Sequence, residues 1–338
     1  MINVCFTVLG VGKGHITQAK YFYNLLISKK EYDIKFINII CRYEIFKKNI
    51  KNYKLIFPDC KIKNINIKST ENDISNIFNI NIISNFKIIY DSLLTKDTNF
   101  IFKKYKIDLN IGFFIPKLFL KKPSVKTIDI ANQYSVNSFL IDMLGYNKLA
   151  NNITPISIIN KNKFSKYVLP SLISNVKLTR HNVDKNICVA YDVSNIHFAK
   201  KLNIVAKNNP KFKIYFFMNE KPSINLESNI KFKFSSTKFK KYLNKASCVL
   251  STSGHTLVQE CVYNNIPIAI MPCNKSHFEQ LSNYKNYINL KYAVPMDKNI
   301  KLNKLRKLNI NNKLLELEKT LKNRDKIIMD ILDKLVKS

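Results

Sequence analysis

INVCFTVLGVGKGHITQAKYFYNLLISKKEYDIKFINIIC (residues 2–41) reads as strand, glycine loop, helix, strand. Residues 2–10 form a continuous apolar run with β-branched side chains that stops at Gly10, the pattern of a strand buried on both faces. Residues 15–30 then place Ile16, Ala19, Tyr21, Phe22, Leu25 and Leu26 at helical spacing, and residues 33–41 return to an apolar, β-rich run. Strand, loop, helix and strand within about 40 residues make a βαβ unit, which implies a parallel sheet and an α/β fold.

The loop inside that unit is unusual for this chain. Average usage would place about two dozen glycines in 338 residues. There are 6, and three of them are Gly10, Gly12 and Gly14, followed directly by His15. The composition is crowded with Lys, Asn and Ile, so the surviving glycines mark places where positive φ or a close backbone approach admits no substitute. The loop is not a phosphate-binding P-loop, because Lys13 is followed by Gly14. A dinucleotide fingerprint would need a third glycine where His15 stands, although Glu44 after the second strand could imitate the ribose-binding acid. Two readings remain beside it: a plain strand–helix turn, and a histidine at a helix start beside a loop that accepts a ligand.

Further along, residues 108–116 and 126–131 read as strands, and residues 161–185 are mixed and polar, as a linker would be. The α/β pattern then restarts, with strands at 186–191, 213–218, 248–252 and 267–272 and helices at 197–208, 239–246 and 256–265. The tail from 313 to 338 reads as one long amphipathic helix. The expected organisation is an N-terminal domain over 1–165, a C-terminal domain over 166–310 and a helix over 311–338 that packs back on the first domain. The seven cysteines include no C-x-x-C pair, which suits reduced thiols and a cytoplasmic protein. The N-terminus lacks a signal pattern, and residues 76–94 are too polar to span a membrane, although one face could rest on one. Net charge is +33 and almost all of it is lysine. Either base composition or a surface for polyanions accounts for that.

STSGHTLVQECVYNNIPIAIMPCNKSHFEQLSN (251–283) is the second constellation. Gly254 stands between a strand and a helix, where Ser253, Gly254, His255 and Thr256 would offer N–H groups and hydroxyls to a diphosphate. Glu260, in the second turn, can accept two hydrogen bonds from a ribose diol. Glu279 and Gln280 suit sugar hydroxyls. An ordinary αβα unit with solvated acids is the structural alternative.

These residues resemble the nucleotide-sugar signature of the GT-B glycosyltransferases, most closely the lipid-II-forming N-acetylglucosaminyltransferases and their UDP-glycosyltransferase relatives. From Glu260, Pro267 lies seven residues on, Pro272 twelve and Gln280 twenty, as in that group. The Gly10, Gly12, Gly14 and His15 loop resembles the group's first glycine loop. The likeness covers residues 8–20 and 246–283. It implies two Rossmann-like domains facing each other across a cleft, with the C-terminal helix returning to the N-terminal domain. It also implies roles: Glu260 on the ribose, Ser253 to Thr256 on the diphosphate, Glu279 and Gln280 on the sugar, Ser235 and Ser236 by the nucleobase, and His15 towards the acceptor. Residues 191–195 depart from the group by lacking a glycine loop, and Asn265 replaces a glycine, a mild change because Asn tolerates positive φ.

The chain has no D-x-D pair and no metal-ligand spacing, so neither a metal nor another cofactor is expected. The function that follows is a metal-independent, inverting glycosyltransferase using a nucleotide sugar, with a UDP-sugar favoured. His15 would be the base, possessing an ordinary histidine pKa and with Asp129 as the group that could orient it. The acceptor is open among lipid, glycan, protein and modified DNA. A lysine-rich surface would touch an anionic membrane at its inner face, or nucleic acid. The alternatives are a nucleotide-sugar hydrolase on the same fold and a non-catalytic basic binding module.

Overall fold

The structure, a computed structural model, describes residues 1–10, 13–66, 96–113, 125–131, 153–155, 171–173, 178, 180, 182–192, 195–218, 221–234, 239–272 and 278–337. The chain forms two compact units, Met1–Leu172 with Asn323–Ser338, and Ile173–Lys322.

The first unit holds strands β1 (Ile2–Leu9), β2 (Tyr32–Cys41), β3 (Lys61–Asn66), β4 (Leu109–Phe113), β5 (Lys126–Ala131) and β6 (Ile153–Pro155). They pair in parallel in the order β3-β2-β1-β4-β5-β6. Helices α1 (Lys13–Ile27), α2 (Tyr43–Ile56) and α3 (Lys96–Lys104) follow β1, β2 and β3 in sequence. β1 and β4 lie at the centre, buried along nearly their whole length, as their continuous apolar runs require. β3 is an edge strand, and its Lys61 and Lys63 point to solvent, which blunts an edge that could otherwise pair with another chain. Phe6, Phe22 and Phe113 meet edge to face in the core, with ring centres 5.3 and 5.5 Å apart.

The second unit repeats the topology. Strands β7 (Asp184–Tyr191), β8 (Lys213–Met218), β9 (Ile230–Phe234), β10 (Ala246–Thr252), β11 (Ile268–Met271) and β12 (Val294–Pro295) pair in parallel in the order β12-β11-β10-β7-β8-β9. Counted from its own first strand, each sheet has the order 3-2-1-4-5-6 of a Rossmann domain. Helices α4 (Ile196–Lys207), α5 (Phe239–Lys245), α6 (His255–Tyr263), α7 (Phe278–Asn289) and α8 (Leu302–Leu305) complete the layers.

The tail breaks where one helix was expected. It forms α9 (Asn311–Lys322) and α10 (Arg324–Lys337), the former in the second unit and the latter in the first. α9 packs on α6 and buries Leu317 and Leu321. α10 lays Ile328 and Leu332 into the first unit's core. Its first residue explains the break. The Arg324 guanidinium is buried 4.3 Å over the Tyr21 ring, and its Nη1 donates to the Ser171 carbonyl at 3.0 Å, so the chain turns into the first unit at that point. Tyr32 further donates to Asp333 at 3.0 Å.

Candidate functional site

In open parallel sheets, ligands bind beyond the strand ends where the strand order reverses. In the second unit that switch point lies between β7 and β10. The loop after β10 runs through Ser253 and Gly254 into α6. Gly254 is the N-cap of α6, with φ −66° and ψ 131°, a conformation open to any residue. A β-carbon built on it meets no atom within 4 Å. Neither backbone nor packing therefore demands glycine here, in a chain that keeps only 6. α6 has no side-chain cap, so its first N–H groups receive no acceptor from an N-cap side chain.

After β7, the described residues Asp192 and Asn195 are bonded by side chains. Asp192 is buried; it accepts from the Thr252 hydroxyl at 2.9 Å and from the Asn195 N–H at 2.5 Å. Asn195 caps α4, accepting from the N–H groups of His197 and Phe198 at 2.9 and 3.4 Å. Where a glycine loop is absent, side chains of Asp192 and Asn195 accept from the N–H groups of Asn195, His197 and Phe198.

Glu260 stands in the second turn of α6. It is mostly enclosed, and burial raises its carboxyl pKa, with Lys240 partly opposing the shift. Among the described residues no hydrogen bond or ion pair reaches its carboxylate; burial first, then Asp192 and Glu260, raise the phenol of Tyr191 at the end of β7. α6 ends in a Schellman turn: Ile266 N–H donates to Cys261 O at 2.8 Å and Asn265 N–H to Val262 O at 3.0 Å. Asn265 has φ 52°, the left-handed backbone that its position asks for. Arg180 closes this end, donating to the carbonyls of Asn264 and Asn265 at 3.2 and 3.0 Å and to that of Ala246.

The side chains at the start of α6 take different directions. The His255 ring is buried; its Nδ1 lies 2.6 Å from the Tyr287 hydroxyl and its Nε2 2.8 Å from the Gln259 amide. Burial lowers its pKa to about 4. His255 thus turns its ring to the interior, leaving its backbone N–H as the group that stands at the helix start. Ser253 is fully buried, and its Oγ lies 2.6 Å from the Gln280 carbonyl oxygen and 2.8 Å from Gln280 Oε1. Thr256 is half-buried in the first turn. The structure thereby brings Ser253, Gly254, His255, Thr256, Glu260 and Gln280 to one side of the second unit. Ser235, Ser236 and the Glu279 side chain lie outside the described residues.

In the first unit, Gly10 ends β1, and a β-carbon there would sit 2.6 Å from Ile39 Cγ2 and 3.1 Å from Cys41 Cβ. Packing against β2 therefore demands this glycine, where the sequence suggested room for a ligand. Gly12 lies outside the described residues, and Gly14 is in the first turn of α1 with His15 beside it. Burial lowers the His15 pKa to about 4, so its imidazole is neutral at pH 7 and less basic than the ordinary value expected from sequence. Asp129 sits in β5, separated from β1 by β4, and its side chain is outside the described residues.

Asp192, Asn195 and Tyr287 escaped the sequence reading; Asp192 and Tyr287 meet partners 60 and 32 residues away, whereas Asn195 carried a local signal, an asparagine directly before a helical run. Arg180 had a signal. It is one of four arginines in a chain of lysines, retained where a planar fork of donors gathers carbonyls. Among the described residues no three His, Cys, Asp or Glu side chains gather as a metal site, and no helix is long and apolar enough to cross a membrane. Six cysteines are free thiols, and Cys273 lies outside the described residues.

Two Rossmann sheets in one chain, with glycosyltransferase structures that match it over nearly its whole length, make this the GT-B fold. Residues 153–311, a little under half of the chain, match the family model described as glycosyl transferase family 1. Solved structures agree along nearly the whole length. The glycotransferase of kitacinnamycin is similar with a TM-score of 0.68 at 8% identity, over 98% of each chain. UGT2 of Phytolacca americana, complexed with UDP-2-fluoro-glucose and pterostilbene, gives 0.65 at 8% identity, over 99% of this chain and 100% of that one. MurG of Acinetobacter baumannii gives 0.57 at 14% identity, over 99% and 100%. No curated protein matched the chain by sequence.

Proposed function

We propose that this protein transfers a sugar from a nucleotide-sugar donor to an acceptor hydroxyl, with the donor at the switch point of the second sheet. Gly254 carries the reading. It is a glycine that the protein itself does not need, in front of the uncapped start of α6. A diphosphate laid over it would receive the N–H groups of His255 and Thr256 in the favourable field of the helix. Glu260 would hold the ribose diol, and Gln280, with Glu279, the sugar; Ser235 and Ser236 would serve the nucleobase. The UDP-sugar bound in the Phytolacca structure supports UDP as the nucleotide.

Transfer in this reading is a direct displacement with inversion at the anomeric carbon. His15, neutral at physiological pH, takes the acceptor proton as that oxygen attacks. The leaving diphosphate is stabilised by the α6 start and by lysines, without a metal; this rests on the missing D-x-D pair in the sequence. The protein works in the cytoplasm, where its +33 charge would draw it to an anionic acceptor environment, a membrane face or nucleic acid.

Glu260→Ala tests the donor site. Removing two hydrogen bonds to a charged acceptor should weaken a UDP-sugar by roughly 3–6 kcal/mol in calorimetry. Affinity equal to the parent's would mean that Glu260 does not touch the donor.

A further inference from the structure

Ser253 has no exposed surface, yet two oxygens of one residue lie within hydrogen-bonding distance of its hydroxyl. A hydroxyl has one proton to give. It cannot donate fully to both the carbonyl oxygen of Gln280, at 2.6 Å, and Oε1 of the same residue, at 2.8 Å. Turning the amide by 180° about its last torsion resolves the conflict. Oγ–H then donates to the Gln280 carbonyl while Nε2–H donates to Oγ. Ser253 would grip the backbone and the side chain of Gln280 at once, fixing which edge of the amide faces outward.

A second tie runs parallel to this one. Seven residues further along α7, Tyr287 bonds the ring of His255 at 2.6 Å, and its hydroxyl lies 3.4 Å from the His255 carbonyl oxygen. α7 is thereby held at two points, both buried, to the two residues that flank Gly254.

We propose that Ser253 is a positioning residue that acts on the donor sugar through Gln280, and not a ligand of the diphosphate. The inference rests on the donor reading above, in which Gln280 meets the sugar. Its consequence is a division of labour along four residues. The backbone from 254 to 256 reads the diphosphate, and the Ser253 hydroxyl reads nothing of the ligand but sets the amide that selects the sugar.

The test compares Ser253→Ala, Gln280→Ala and the double variant by calorimetry. The probes are UDP, GDP and TDP, and the glucose conjugate of whichever binds the parent most tightly. Ser253→Ala should weaken the glucose conjugate about tenfold, as the loss of neutral hydrogen bonds does, and leave the free nucleoside diphosphate within about twofold. Gln280→Ala should show the same split, and the double variant should be no weaker than Gln280→Ala alone, because both changes remove one contact. Equal weakening of both ligands by Ser253→Ala would make Ser253 a diphosphate ligand and overturn the proposal, as would losses that multiply in the double variant. Ser253→Cys, which keeps the volume and a weak donor, should show the same split in a smaller degree if the alanine variant does not fold. A parent that binds none of the three nucleoside diphosphates refutes the donor reading and this inference with it; a wrong ligand split refutes this inference alone.

Discussion

Replacing Gly254 by alanine separates a glycine kept for the protein from one kept for a ligand. The new methyl meets no atom within 4 Å, and φ −66°, ψ 131° suits alanine. Two opposing effects act on stability. Alanine is a poorer N-cap than glycine by about 0.5–1 kcal/mol, while the stiffer unfolded chain returns about 0.4–1 kcal/mol. The net change stays within about 0.5 kcal/mol, or about 2 °C in melting temperature for a protein of this size. Binding should behave quite differently. A diphosphate oxygen accepting from the N–H groups of His255 and Thr256 must pass close to the Gly254 α-carbon, and a methyl there displaces it. Losing two charge-assisted hydrogen bonds, worth about 1.5–3 kcal/mol each, weakens binding by at least 3 kcal/mol, roughly a hundredfold or more. Thermal melting and calorimetric titration with a nucleoside diphosphate measure both quantities on one sample. A variant that melts more than about 5 °C lower would show that Gly254 serves the fold, and one that binds as the parent does would show that no ligand lies over it.

His15→Ala should lower transfer by about 10²–10⁴-fold with donor affinity unchanged, measured as nucleoside diphosphate release. The same fall with no acceptor added would mark a hydrolase, and parent-level turnover would remove His15 from catalysis. Asn265→Ala should cost about 1 kcal/mol in urea denaturation, because alanine lacks the short polar side chain that lets asparagine hold φ 52°, whereas Asn265→Gly should cost nothing. Stability should also fall with pH below neutrality. His255 titrates near 4 when folded and near 6.5 when unfolded, so between those values the unfolded chain binds the extra proton. The contribution is complete above pH 6.5 and declines as pH approaches 4, by on the order of 2 kcal/mol at pH 5. Denaturation curves at pH 7 and pH 5 that coincide would contradict the buried neutral imidazole.

The topology was legible wherever periodicity was strong. β1, α1 and β2 appear within a few residues of their expected bounds, and so do β7 to β11, apart from β9, because buried central strands write long apolar runs into the sequence. Edge strands do not. β9 reads IKFKF, in which lysines alternate with aromatics and carry no run, and β12 is two residues long. The break at Asn323 was also hidden, since α9 and α10 keep one apolar stripe in register while Arg324 makes its contacts with Tyr21 and Ser171, far away in sequence. The expectation that scarce glycines mark positive φ or close backbone approach holds at Gly10 and not at Gly254, whose φ is −66°. Gly254 faces open space, but Gly10 answers to Ile39 and Cys41, which only the folded sheet sets beside it. Asn265 was read correctly as tolerant of positive φ because that requirement is local. His255 looked like a ligand group and turned inward to Tyr287, 32 residues on. Local rules fix backbone needs, and side-chain direction belongs to tertiary packing.

The most direct test of the donor site is to titrate the ¹⁵N-labelled protein with a nucleoside diphosphate and follow the backbone amides. The account predicts saturable shifts at Gly254, His255 and Thr256, together with Glu260, and none at His197 and Phe198, whose N–H groups are already held by Asn195. Shifts at His197 and Phe198 with residues 254–256 silent, or shifts only at scattered surface lysines, would contradict it.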